Sequence, residues 1–156
     1  MTPKLWAERT NAKSCPFCQQ LQDDDREDTH GYPVAELPSG RVRLSRNQTR
    51  YGYCILINRS HALELHDLTV TEREAFVHDV ARVSHALQGL RGAAKMNVQF
   101  LGNGVPHLHA HIFPRYLSDP DFGRYPEDKT TPFTELDSGA VQALRSELRE
   151  ALETAS

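Results

Sequence analysis

No stretch of this chain approaches the roughly 20 consecutive apolar residues that a membrane-spanning helix needs. The longest apolar run is short, Tyr53-Cys54-Ile55-Leu56-Ile57. Met1 to Cys15 lacks the apolar segment of a secretory signal. These absences predict a cytoplasmic protein with no membrane partner. There are only three cysteines in 156 residues, too few and of the wrong parity for a disulfide framework. Reduced thiols are expected in that compartment. Cationic excess is also missing: the formal net charge is −3, and no basic stripe runs along any segment. Phosphate-driven nucleic-acid binding is thereby disfavoured. A small anion held by a few aimed donors is not. No internal repeat is seen. The length and the 38% hydrophobic content predict one compact domain over 1–156.

The patterning that is present predicts an α+β fold. Val34–Leu37 and Arg41–Ser45 flank the turn Pro38-Ser39-Gly40, and read as strands. Tyr53–Asn58 is apolar on both faces, as a central strand would be. Thr71 and Glu74 have capping-box spacing at the start of a long helix. That helix carries Phe76, Val80, Val83, Leu87 and Leu90 on one face and ends at Gly89 and Gly92. Lys95–Leu101 and His107–Phe113 read as further strands, the latter stopped by Pro114. A C-terminal helix is expected near 136–152, with Val141, Leu144, Leu148 and Leu152 on one side. The N-terminal segment through Ser14, the polar run from Gln19 to Tyr32 and residues 117–135 read as irregular, with Asp23 to Asp28 a solvated charge run. Together these give a mostly antiparallel sheet of about five strands, one long helix and a terminal helix.

Two clusters carry chemistry. His107-Leu108-His109-Ala110-His111 places three imidazoles on one strand face, roughly 6–7 Å apart. Such a row can bind a metal, relay protons, or attack an electrophile through an unprotonated nitrogen. The preceding turn, Gly102-Asn103-Gly104, can aim backbone N–H groups and the Asn103 amide at an anion. That favours attack on phosphorus, where the non-bridging oxygens need donors. The second cluster is Cys15-Pro16-Phe17-Cys18. Cys-x-x-Cys is half of a tetrahedral zinc site, and with no second pair the other ligands must be histidines. Redox use would want the pair at a helix start in a βαβ pattern, which is not seen here.

Gly102 through Arg115, with its His-Leu-His-Ala-His core and Pro114-Arg115 continuation, resembles the signature of the histidine-triad (HIT) superfamily. The continuation is similar to its dinucleoside polyphosphate hydrolases. The resemblance extends from about Cys15 to about Tyr116. It implies a covalent mechanism: His109 attacks the α-phosphorus of a nucleotide, and His111 contacts the phosphate. It also implies a polar residue on the preceding strand, matching Asn97 or its neighbour Gln99. A structural zinc held by Cys15, Cys18, His61 and His107 is implied as well, with His66 and then His30 the alternatives to His61. No organic cofactor is implied, and a homodimer is. The substrate would be a small nucleotide. Two departures stand out. No Ser or Thr precedes Val105, so phosphate donation falls to Asn103 and the Gly104 region; no acidic ribose ligand precedes the central strand, where Asn47 and Gln48 stand instead. Two further readings stand beside the enzyme. One is a non-catalytic nucleotide sensor, and the other a metal enzyme with the triad as its ligand set.

Overall fold

The computed structural model describes residues 2–22, 31–125 and 133–155. Its strands are β1 (Gly31–Leu37), β2 (Gly40–Ser45), β3 (Cys54–Asn58), β4 (Lys95–Gln99) and β5 (His109–Arg115). Its helices are α1 (Pro3–Arg9), α2 (Pro16–Gln22), α3 (Val70–Arg91) and α4 (Ser138–Thr154). The strands form one antiparallel sheet in the order β1-β2-β3-β5-β4. This is the α+β architecture that the patterning predicts. No helix among the described residues is long and apolar enough to cross a membrane.

Strand alternation sorts the side chains onto two faces. Val42, Leu44, Cys54, Leu56, Ala110 and Ile112 face α3 and α4 and form the main core with Phe76, Val80, Val83 and Leu87, and with Val141, Leu144, Leu148 and Leu152. Leu90 is only half-buried at its margin. The opposite face carries His109 and His111. A smaller cluster covers part of it, with Cys15 and Phe17 from the N-terminal region packed on Ile57.

Several boundaries differ from the sequence expectation, each for a local reason. The N-terminal segment is helical over α1, because Thr2 accepts from the Leu5 N–H (3.2 Å) and Pro3 fills the first turn. The polar run after Cys18 continues as α2, whose last carbonyls, Gln20 and Leu21, are held by Arg41 of β2 at 2.7 and 3.5 Å. The acidic run Asp23 to Asp28, His30 and residues 126–132 of the long loop lie outside the described residues. Strand β1 begins earlier than Val34 and carries Pro33 at a register irregularity, which an edge strand tolerates. Pro114 does not stop β5. It lies opposite Met96, beyond the last β3 pair of Cys54 with Ile112, so it removes no bond from that ladder. At its other end β5 begins at His109, because Leu108 donates instead to the Ala62 carbonyl (2.6 Å). Strand β4 ends at Gln99, short of Leu101.

Helix α3 starts at Val70, so its cap lies two residues before Thr71. Thr69 is its N-cap and closes a capping box with Glu72, since its hydroxyl both accepts from the Glu72 N–H (3.3 Å) and donates to the Glu72 carboxylate (2.7 Å). The helix runs through Gly89, and Gly92 caps it at a left-handed φ of 63°. The Thr69 hydroxyl, and then its backbone N–H, hold the Glu72 carboxyl below the usual carboxylate range. A depressed carboxylate contributes its stability above the unfolded value and loses it as pH falls through the folded one. Independently of that shift, loss of the N-cap hydroxyl in Thr69→Ala is expected to lower stability by about 1 kcal/mol in urea unfolding at pH 7. The loss should shrink in acid as Glu72 protonates, and Thr71→Ala should be close to silent.

Candidate active site and metal centre

Across the β3–β5 ladder Ile57 stands opposite His109 and Ile55 opposite His111; across β4–β5, Gln99 stands opposite His111 and Asn97 opposite Phe113. The triad is not one uniform row. His107 precedes the strand and turns toward the N-terminal knuckle, while His109 and His111 remain on the sheet face.

Around His107 four donors converge. The Sγ atoms of Cys15 and Cys18 and the Nδ1 atoms of His61 and His107 lie within 4.8 Å of one another. His107 Nδ1 is 3.4 Å from Cys15 Sγ, 3.5 Å from Cys18 Sγ and 3.3 Å from His61 Nδ1, and His61 Nδ1 is 3.2 Å from Cys18 Sγ. A tetrahedral divalent ion with thiolate and imidazole ligands needs donor separations of about 3.3–3.8 Å, which these approach. The imidazoles are set for that role from behind. His107 Nε2–H donates to the Asn58 carbonyl and His61 Nε2–H to the Thr10 carbonyl, both at 2.8 Å. Each Nδ1 therefore keeps its lone pair toward the shared centre. Burial, followed by the hydrogen bond and the charge of Cys15, pushes the Cys18 thiol up to about 12. Burial takes His107 down to about 4. This donor set suits a cation, which would draw off the thiol protons. His66 is exposed and paired with Asp67 at 3.7 Å, outside the group. His78 and His85 are exposed on α3.

The second half of the site is a hydrogen-bond chain with a fixed direction. His109 Nδ1 lies 2.6 Å from the His107 carbonyl, which only accepts, so Nδ1 carries the proton. In the neutral ring Nε2 then bears the lone pair. His111 Nε2 lies 3.0 Å from it and must donate, which leaves His111 Nδ1 to accept from the Tyr53 hydroxyl at 2.6 Å. Burial lowers His109, and burial with the neighbouring His109 takes His111 down to about 4, so both rings are neutral near pH 7. Phe17 packs edge-on against His109, with ring centroids 4.8 Å apart. A neutral, buried, oriented imidazole with an unprotonated Nε2 that accepts from a neighbouring N–H can attack an electrophile.

The remaining residues singled out by the sequence are placed as follows. Gln99 is half-buried beside His111. Asn97 Oδ1 accepts from Arg115 Nη1 at 3.1 Å. Arg115 itself is buried, and donates to Asp119 (2.8 Å) and to the Asp121 and Arg124 carbonyls (2.8 and 2.9 Å), so it ties the 116–125 segment to the sheet. Asn103 and Gly104 are exposed on the turn, and the Gly104 carbonyl accepts from Arg9 of α1 at 2.7 Å. Asn47 closes a local turn by accepting from the Thr49 N–H at 3.1 Å. Gln48 is buried and bonded to the Ser45 and Tyr53 carbonyls and the Gly52 N–H. Sequence reasoning did not single out Tyr53, Phe17 or Arg9 as site residues. Tyr53 was accessible by period, because residues 53, 55 and 57 share one strand face. Phe17 and Arg9 act through tertiary contact, which leaves no periodic signal.

Comparison with known proteins identifies the family and the fold. The HIT domain family model matches residues 34–117. The chain is 25% identical over 126 residues to "Protein hit" of Bacillus subtilis (strain 168), covering 72% of this chain and 78% of that one. The crystal structure of a histidine triad protein from Bradyrhizobium japonicum superposes with a TM-score of 0.72 at 28% identity, covering 85% of this chain and 94% of that one. The crystal structure of a Zn-bound histidine triad family protein from Mycobacterium smegmatis shares the fold, with a TM-score of 0.64 at 19% identity, over 92% and 96% of the two chains. The family suggests nucleotide binding or hydrolase or transferase activity in general. With more than half its length, triad included, inside that model, the chain belongs to the HIT domain family.

Proposed function

We propose that this chain is a nucleotidyl hydrolase or transferase that cleaves the α-phosphate linkage of a dinucleoside polyphosphate or a related nucleoside-phosphate conjugate. The observation that carries the reading is the orientation of His109, whose Nδ1–H is bound to the His107 carbonyl and whose Nε2 is left unprotonated. In the first step His109 Nε2 forms a bond to phosphorus as the bond from phosphorus to the leaving oxygen or nitrogen breaks. The departing atom takes that electron pair. His111 Nε2–H is the nearby donor for the phosphate oxygens, and Gln99, Asn97, Asn103, the Gly104 region and Asn47 line the substrate. In the second step water attacks the nucleotidyl-histidine, releases the nucleoside monophosphate and restores His109.

The ion at Cys15, Cys18, His61 and His107 is zinc in this reading. Two sulfur and two nitrogen donors in a tetrahedron suit it, and the related Mycobacterium smegmatis protein is zinc-bound. With no ligand position left open the role is structural, and the chemistry stays with His109. The test is turnover of diadenosine tetraphosphate and adenosine phosphoramidate, with intact-protein mass recorded after mixing with substrate. A nucleotide-sized adduct on His109 and release of a monophosphate are expected. Nucleotide binding with no turnover of either compound would favour the sensor reading instead.

A homodimer is part of the proposal. Strand β4 is a sheet edge, and Val98, Phe100 and Leu101 along or beside it are exposed, with Val77 of α3 exposed as well. Among the described residues this edge has no strand partner, and such an edge flanked by exposed apolar side chains is a template for a second copy. Phe100→Asp with Val98→Lys is expected to halve the solution mass measured by light scattering. An unchanged mass would remove this edge from the interface.

A further inference from the structure

Tyr53 lies outside the triad and just before β3, yet its hydroxyl reaches the last triad histidine. The O–H is 2.6 Å from His111 Nδ1. Its ring stacks on Phe113, with centroids 4.3 Å apart and planes inclined by 21°. Its backbone is held on both sides: the Tyr53 N–H donates to the Arg50 carbonyl (2.9 Å), and the Tyr53 carbonyl accepts from the Ser45 N–H (3.0 Å) and from Gln48 (3.1 Å). The hydroxyl is therefore delivered from a rigid loop and a stacked ring. The direction of the bond follows from the far end of the chain, because the His107 carbonyl can only accept.

We propose that Tyr53 is a positioning residue for this site: its donated hydrogen bond holds the His111 ring in the orientation and tautomer that present Nε2–H beside His109 Nε2. The proposal rests on the reading of His109 as the nucleophile. Its consequence is specific. The Nε2–H of His111 first meets the His109 lone pair, and becomes available to a phosphoryl or leaving oxygen once that lone pair is committed to phosphorus. If His111 took the other tautomer, two lone pairs would face each other at 3.0 Å and the phosphate would lose a donor. Without the hydroxyl, Nδ1 has lost its donor, and neither the ring rotation nor the tautomer is pinned.

Tyr53→Phe removes one oxygen and keeps the stack on Phe113. With diadenosine tetraphosphate, kcat is expected to fall roughly 10- to 100-fold, the kinetic equivalent of one buried hydrogen bond, with KM within about threefold of the parent. The second readout does not depend on turnover. Long-range proton–nitrogen spectra of 15N-labelled protein at pH 8 should show His111 as a pure Nε2–H tautomer in the parent. In Tyr53→Phe they should show a displaced Nδ1 resonance or a mixture of tautomers. Unchanged His111 nitrogen shifts in Tyr53→Phe would overturn the proposal, whatever the rate, and so would an unchanged kcat. If no nucleotide substrate is turned over by the parent protein, the functional reading fails while the nitrogen shifts still decide whether Tyr53 orients His111.

Discussion

His109→Ala is expected to reduce turnover of any nucleotide substrate by roughly 10⁴-fold or more, with no covalent adduct at any time after mixing. The size of the effect follows from what His109 does. The ring forms the new bond to phosphorus, so its loss removes the covalent path and leaves only the donors around the phosphate. Such donors retain some rate over the uncatalysed reaction, because electrostatic stabilisation and binding survive loss of a nucleophile. Nucleotide affinity should change little, since the substitution deletes a ring and not a charge. Rapid-quench kinetics, mass spectrometry and equilibrium binding on the same variant separate the alternatives. Wild-type rates in His109→Ala would refute the covalent mechanism. A triad acting as the metal ligand set would instead show metal loss in His109→Ala and His111→Ala. Neither ring nitrogen of His109 nor of His111 lies among the four converging donors, so metal content is expected to survive both substitutions.

Metal removal is expected to have the largest effect on stability. The four donors join elements far apart in the chain: the knuckle at Cys15 and Cys18, the segment after β3 at His61, and the turn into β5 at His107. Structural zinc sites contribute on the order of 10 kcal/mol in small peptides. A fraction of that, about 4 kcal/mol, would lower Tm by roughly 10 °C in a chain of this size. Strong chelation, or His61→Ala, should give at least that shift by calorimetry, together with loss of one metal per chain by elemental analysis. Activity should fall with it for a structural reason. The His107 carbonyl holds His109 Nδ1, and the N-terminal knuckle places Phe17 against the His109 ring. If chelation removed the metal while Tm and activity stayed unchanged, the cluster would not be structural. Cys15→Ser is the complementary variant. It should lose metal, whereas His66→Ala, at an exposed imidazole outside the group, should not.

The parts of this protein legible in the sequence are those governed by period. The apolar spacing of α3 and α4 marks the residues that line the core, and alternation along β5 puts His109 and His111 on one face and Ala110 and Ile112 on the other. Boundaries were less legible because competing local signals are nearly equal. Thr69 and Thr71 each precede an acidic residue at capping spacing, and only the path of the chain into α3 selects Thr69. Pro114 is a strand breaker in isolation, and is harmless where β3 has already ended.

The amino-acid pattern carries the chemistry on offer: three alternating imidazoles after a glycine turn, a thiol pair, and no apolar run as long as a membrane-spanning helix needs. Residue type and spacing along one element suffice for that. How the imidazoles divide depends on the folded arrangement. It turned His107 off the strand toward Cys15, Cys18 and His61, bound His109 Nδ1 to a main-chain carbonyl, and brought the Tyr53 hydroxyl to His111. The physical reason is that a histidine has two ring nitrogens, and which of them keeps the lone pair is set by its hydrogen-bond partner. Here one such partner, Tyr53, stands 58 residues from His111 in sequence.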